Sequence, residues 1–268
     1  MEQILQKLRE LTNKKFIKLA DSGDHAIKSI AKLMKDLGKD RVLLQDQGGW
    51  LTYQAYTRKH GLMTLELKTD YGIVDLDDLA KKANNNGFLL INSLTGYFAE
   101  QPMHEIAQMC SKTSCLLVND VSGSIGTDNS KIGDIIFGSF GQQKPINLGY
   151  GGFIATDNED WFKKLEGCNF KENKLIALQR ELERMPKRLK VFTELNKKIK
   201  QDLKDHKIIH SESYGINVVV KFDSEKEKNE IVKYCENNKL EYTLCPRYIR
   251  VLDNAVSIEV KRVNVNYD

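Results

Sequence analysis

What most constrains this chain is an alternation, through its first 165 residues, of short uninterrupted apolar runs with helical stretches. "RVLLQ", "GFLLINS", "CLLVNDVS" and "GDIIFGSF" are hydrophobic at successive positions, not at every second one. A strand that is apolar on both faces must be covered on both, which is the situation in a parallel sheet flanked by helices. The intervening segments supply the helices. Residues 25–37 place Ile27, Ile30, Ala31, Leu33, Met34 and Leu37 on one stripe, and Gly38 follows as a stop. "WLTYQAYTRKHG", "DLDDLAKKAN" and the proline-opened "PMHEIAQMCSKT" read the same way. With a helix over residues 2–12 and strands at "KFIKLA", "MTLELK" and "GGFIATD", the pattern predicts an α/β fold: three layers around a mainly parallel sheet.

The pattern changes after residue 165. Residues 174–204 read as a long helical region broken near Pro186. Next come a strand at "INVVVKF", a helix at "SEKEKNEIVKYCENN", a strand at "LEYTL", and a final strand pair at "YIRVLD" and "AVSIEVKRV". The expected division is a large domain over 1–168, a helical connector over 169–205 and a small α+β domain over 206–268.

Several function classes are removed by composition. No run of eighteen apolar residues is present, so no membrane-spanning helix is expected, and "MEQILQKLRELTNKKF" lacks an apolar signal core. A cytoplasmic protein is the expectation. Five cysteines without a C-x-x-C pair and five scattered histidines suggest neither a disulfide framework nor a metal site. Eight Lys or Arg side chains face two acids between residues 184 and 204. That run reads either as a solvated helix face or as a surface for a phosphate-rich partner such as nucleic acid, the second not being favoured.

In parallel sheets ligands sit beyond the carboxyl ends of the strands, so the polar residues there carry the functional reading. Ser22 and Gly23 open a helix whose free N–H groups and dipole suit an anion. Trp50, after "QGG", offers an aromatic face or a core tryptophan. Asp120 ends an apolar strand and is either a turn aspartate or a partly buried carboxylate in need of a partner. Ser139 and Lys144 lie on the turn after another strand, and a lysine becomes nucleophilic when burial or neighbouring charge removes its proton. An anion cradle, an aromatic face, a carboxylate and a lysine at one sheet edge form the set that holds pyridoxal 5′-phosphate.

These segments resemble the fold-type-I pyridoxal-phosphate enzymes, and among them the DegT/StrS sugar aminotransferases. "DSGDHAI" is similar to that family's phosphate turn, "LLVNDVSGSIGT" to its aspartate-ended strand, and "GDIIFGSFGQQKPINLGYGGFIAT" to its lysine segment. The resemblance implies Lys144 as the Schiff-base (internal aldimine) lysine and Asp120 as the partner of the pyridinium nitrogen. Ser22, Gly23, Asp24, His25, Trp50, Ser122 and Ser139 would contact the cofactor. "GCNFKENKLIALQ" implies that Asn169 reaches the cofactor phosphate of a partner subunit, hence a homodimer with shared sites. A small-molecule amino donor and acceptor follow.

Asp24 stands where the family has threonine. A carboxylate beside a phosphate dianion repels it by several kcal/mol unless it is screened or turned away, and a protonated His25 would offset the repulsion. Lyase, desulfurase or aminoacyl-tRNA-modifying chemistry uses the same lysine and aspartate, and Cys168 is the cysteine nearest the site. A non-catalytic binding descendant would need neither. Arg247 and Arg250, in "PRYIR", read either as surface arginines or as a clamp for a substrate carboxylate.

Overall fold

The computed structural model describes residues 1–166, 169–247 and 250–267. The chain runs α1 (Glu2–Thr12), β1 (Phe16–Ala20), α2 (Gly23–Asp36), β2 (Arg41–Gln45), α3 (Thr52–Lys59) and β3 (Met63–Leu67). A small hairpin, β4 (Thr69–Asp70) and β5 (Ile73–Val74), precedes α4 (Leu76–Lys82), β6 (Gly87–Asn92), α5 (Met103–Thr113) and β7 (Leu116–Asp120). Then come β8 (Ile135–Ser139), β9 (Gly152–Thr156), α6 (Glu159–Lys164) and α7 (Leu175–Asp202). The C-terminal part holds β10 (Lys207–Ile208), β11 (Val218–Lys221), α8 (Glu225–Asn237), β12 (Tyr242–Arg247) and β13 (Val251–Ile258).

Seven strands form the main sheet in the order β1-β9-β8-β7-β6-β2-β3. The five from β8 to β3 are mutually parallel, and β9 runs antiparallel to both β8 and β1. Helices α2, α3 and α6 cover one face through Ile27, Ile30, Met34 and Tyr53. The other is covered by α1 and α7 at one end, through Leu8 and Leu182, and by α4 and α5 at the other, through Leu79 and Ile106. The continuous apolar runs are thus buried from both sides, as their pattern requires.

The expected break at Pro186 does not occur: α7 continues through it for 28 residues. Proline in a helix interior costs about 3 kcal/mol or more. Leu178, Leu182, Met185, Phe192 and Ile199 of the same helix are buried, and full burial of such side chains is worth about 1.5–3 kcal/mol each, so packing outweighs the break. The basic run on this helix is partly neutralised in place, with Arg184 and Arg188 on Glu181, Lys190 near Glu194 and Lys198 on Asp202.

A second departure concerns the end of the chain. The expected strand pair is one strand, β13, which pairs with β12 on one side and β11 on the other in the four-stranded antiparallel order β10-β11-β13-β12. Asp253 is tied to Lys221 at 2.9 Å and Asn254 O accepts from Phe222 N, so β13 stays continuous alongside β11 here, while its register against β12 shifts between Cys245 and Arg247. Tyr248 and Ile249, the first two residues of the expected "YIRVLD" strand, lie outside the described residues.

The loop after β6 enters the core of the C-terminal sheet. Leu94, Tyr97 and Phe98, from the loop after β6, pack with Phe192 and Ile199 of α7 and with Val251 and Val256 of β13. The Tyr97 hydroxyl lies 2.7 Å from Gln47 Oε1 and 3.0 Å from Asp253 Oδ2, and it accepts from Leu252 N–H at 2.8 Å.

The antiparallel pairing of β1, β9 and β8 brings Ala20, Gly152 and Ser139 side by side at one sheet edge. The start of α2 is pressed against them. A Cβ on Gly23 would lie 2.8 Å from Ser139 Cβ, and one on Gly152 would lie 2.6 Å from the Gly138 carbonyl oxygen. Because that oxygen is backbone in the middle of a sheet, Gly152→Ala is expected to destabilise the fold by about 1–3 kcal/mol, the usual cost of overpacking, as read from the urea midpoint.

Candidate active site

Past the carboxyl ends of β6, β7 and β8 lies a cavity of about 340 Å³. Eight residues that the resemblance assigns to the site line it: Ser22, Gly23, Asp24, Trp50, Asp120, Ser122, Ser139 and Lys144. The small sheet adds Arg250 and Lys261, and the β6 end adds Asn92. His25 and Asn169 are not brought to this lining. Asn169 is exposed, its carbonyl accepting from the Tyr150 hydroxyl at 3.4 Å. Cys168 lies outside the described residues.

Ser22 caps α2: its side chain accepts from His25 N–H at 3.0 Å, leaving the first-turn N–H groups of Gly23 and Asp24 without intrahelical partners. Ser139 Oγ, which accepts from Gly141 N–H at 3.1 Å, is held against this helix start by Gly23. Ser122 Oγ accepts from Ser139 N–H at 2.8 Å, so the two serines are fixed as a pair. Asp24, the departure from the family pattern, accepts from Thr52 Oγ1 at 2.8 Å. His25 Nδ1 lies 3.0 Å from Asp21 Oδ1, away from Asp24. The carboxylate at the cradle is therefore engaged by the start of α3, not by the histidine.

Asp120 ends β7, is 9% exposed, and is hydrogen-bonded on both oxygens. The Tyr53 hydroxyl donates to Oδ2 at 2.6 Å and Ser122 N–H donates to Oδ1 at 2.9 Å. Burial, with the Asp120 charge adding to it, pushes the Tyr53 phenol well above its ordinary value, so it remains a donor. Nothing in the sequence marks Tyr53; a tyrosine on the buried face of a short helix is ordinary, and only the crossing of α3 over the sheet aims it at Asp120.

Lys144 sits on the loop between β8 and β9, whose base is closed by Phe140 N–H to Gly151 O at 2.9 Å and Gly149 N–H to Phe140 O at 2.8 Å. Its Nζ stands 5.7 Å from the Trp50 ring centroid. Burial foremost, and the Arg250 charge next, lower its pKa, while Asp120 opposes the shift. Arg250 lies 5.5 Å from the Trp50 ring and 5.2 Å from Phe98, and it has no hydrogen-bond acceptor among the described residues. Arg247 lines an adjoining space of about 260 Å³ that shares Trp50, Lys144, Arg250 and Lys261 with the first.

The cavity suits pyridoxal 5′-phosphate on observations of its own. Its lining combines a helix start whose first N–H groups lack intrahelical partners, a buried carboxylate and a buried amine. It also holds a buried polar atom, Asn92 Oδ1, with no partner among the described residues.

Comparison with known proteins agrees. Among solved structures, the chain superposes on a serine palmitoyltransferase from S. paucimobilis carrying a PLP–myriocin aldimine, with a TM-score of 0.74, 10% identity, and coverage of 98% of this chain and 72% of that one. It also superposes on NtdA from Bacillus subtilis with bound PMP (0.74, 18% identity, 96% and 72%). A third is the E. coli GDP-4-keto-6-deoxy-D-mannose-3-dehydratase with hydrated PLP (0.72, 15% identity, 96% and 86%). The fold is thus that of the fold-type-I pyridoxal-phosphate enzymes. The model of the DegT/DnrJ/EryC1/StrS aminotransferase family matches residues 6–171, and that of the MJ1341 family C-terminal domain matches residues 186–267. The chain belongs to the DegT/DnrJ/EryC1/StrS aminotransferase family and is an aminotransferase-like, pyridoxal-phosphate-dependent enzyme. No curated protein matches its sequence.

Two measurements probe the site without a ligand. Tyr53→Phe leaves Asp120 Oδ2 buried without its donor, so a loss of about 1–3 kcal/mol in denaturant unfolding is expected. Lys261, pushed by burial down to about 7 from 10.5, gives a pH signature. Between those values the unfolded chain binds the proton that the folded protein does not, so stability rises with pH across the interval. Lys261→Met should flatten that rise, with a smaller slope remaining from Lys200, whose burial lowers it to about 8, and from Lys144, lowered in the same direction.

Proposed function

We propose that this protein is a pyridoxal-phosphate aminotransferase in which Lys144 Nζ holds the cofactor's aldehyde carbon covalently. The observation that carries this reading is the presence of Lys144, Asp120 and the start of α2 on the walls of one cavity. When bound, the cofactor supplies an electrophilic carbon and an electron-withdrawing ring. The residues of this chain supply the rest. The N–H groups of Gly23 and Asp24, with the Ser22 and Ser139 hydroxyls, hold the phosphate at a helix N-terminus. Asp120, kept in register by Tyr53 and Ser122, holds the proton on the ring nitrogen. Trp50 packs beside the ring and keeps water from it.

A neutral Lys144 is what covalent attachment requires, and burial beside Arg250 favours that state. With its amine free, Nζ would serve as the base that takes the proton from the substrate's α-carbon and returns it at the cofactor carbon. Arg250, held between two aromatic faces and without an acceptor among the described residues, binds a carboxylate of the amino donor. The organisation 1–168, 169–205 and 206–268 is supported by the two sheets and the long helix between them. We also infer a homodimer in which Asn169, exposed on its own subunit, faces the partner's cavity.

Incubation with pyridoxal 5′-phosphate is expected to give a near-visible absorption band, and borohydride to fix the cofactor to a peptide containing Lys144. Lys144→Ala should lose that label, and Asp120→Ala should keep it while turnover falls by orders of magnitude. A wild-type protein that stays colourless, or a fully active Asp120→Ala, would refute the assignment. Light scattering of the same preparations reads the dimer.

A further inference from the structure

Cavities, cysteine pairs and charged surfaces outside the site are less informative than the two residues flanking Lys144. Gln143 has φ +60°, in the left-handed region that a residue with a side chain enters at a cost. Its N–H donates to Asn147 Oδ1 at 2.7 Å, and its Oε1 accepts from Arg262 Nε at 3.0 Å. Arg262 belongs to the short 3-10 turn after β13, in the C-terminal sheet unit. On the other flank, Pro145 O accepts from Arg188 Nη1 at 2.6 Å, and Arg188 is itself buried against Glu181 at 2.7 Å. The lysine is thus held through both neighbours by arginines from the C-terminal half.

We infer that Arg262 is a positioning residue for Lys144: by holding Gln143 in its left-handed conformation, it couples the docking of the C-terminal sheet to the placement of the amine. The inference rests on the reading of Lys144 given above. The physical case is one of restraint. An Ω-type loop tied only at its base leaves a long lysine free to sample many rotamers. A conformation that costs on the order of 1 kcal/mol persists only when its surroundings over-determine it. Of the two tethers on Gln143, the one to Asn147 is local, so it cannot orient the loop relative to Trp50 and Asp120. The bond to Arg262 can, because it crosses between the two sheets. Of the other partners of Arg262, Glu241 Oε2 meets Nη1 at 2.9 Å on the surface, while Glu259, 3.7 Å from Nε, is held mainly by Lys261 at 2.9 Å. Arg188 is the poorer probe, because its removal would leave the half-buried Glu181 facing only Arg184.

The test compares Arg262→Ala, Arg262→Lys, Gln143→Ala and the Arg262→Ala/Gln143→Ala pair, with Glu241→Gln as the control for the surface ion pair. In cofactor-free protein, hydrogen exchange over residues 141–147 should quicken in both alanine variants, stay near wild type in Glu241→Gln, and be partly restored in Arg262→Lys. With cofactor, borohydride-fixed labelling of Lys144 and kcat should fall about tenfold to a hundredfold, the scale of a misplaced reactive group, with KM little changed and the pair no worse than either single variant. Unchanged exchange in Arg262→Ala would overturn the inference, as would a KM effect of Arg262→Ala that Gln143→Ala does not share. Wild-type protein that never labels at Lys144 while the exchange results hold refutes the assignment of the chemistry and leaves the mechanical coupling standing.

Discussion

The site depends on one joint, the Tyr97 hydroxyl. Carried on the loop that follows β6, it meets Gln47 from the loop after β2, and both Asp253 and the Leu252 N–H of β13. Tyr97 is 1% exposed and sits in the core of the C-terminal sheet, which the loop after β6 enters. Its bonds are part-buried, and loss of a partner there costs more than on the open surface. With the packing of Leu94 and Phe98 and the Arg262–Gln143 bond, that joint fixes the C-terminal sheet over the carboxyl edge of the main one, where Arg250 and Lys261 close the cavity.

Charge is the second organising constraint. Lys144, Arg250 and Lys261 converge from three parts of the chain on a space whose acids are Asp120 and Asp24, with Glu259 behind Lys261 at 2.9 Å. Each carboxylate already has a partner: Tyr53 and Ser122 on Asp120, Thr52 on Asp24, Lys261 and Thr243 on Glu259. The surplus is cationic, and burial turns it into lowered lysine pKa values instead of fixed charge. Such a cavity favours an anionic ligand and keeps an amine available for covalent chemistry.

Much of this was legible in advance where the signal was local. Ser22 before a helical stripe, Asp120 after an apolar run and Lys144 in a loop between two strands are each fixed by neighbours within a few residues, and all three reach the cavity. His25 was placed with the cradle because it follows Asp24, but a helix turns by about 100° per residue, and its ring meets Asp21 instead. The break at Pro186 failed for a related reason, since a proline rule weighs one residue while the burial of α7 is collective.

The order of elements, the double-sided burial of the strands and the edge on which ligands gather were determined by the sequence itself, because hydrophobic periodicity and strand ends are written in consecutive residues. The partners of the reactive groups were decided only in three dimensions. Tyr53 on Asp120, Thr52 on Asp24, Arg262 on Gln143 and Arg250 between Trp50 and Phe98 join residues 28 to 200 positions apart. No local pattern encodes such a pairing, because it arises from the packing of separate layers, which sets the distance between side chains whatever their separation along the chain.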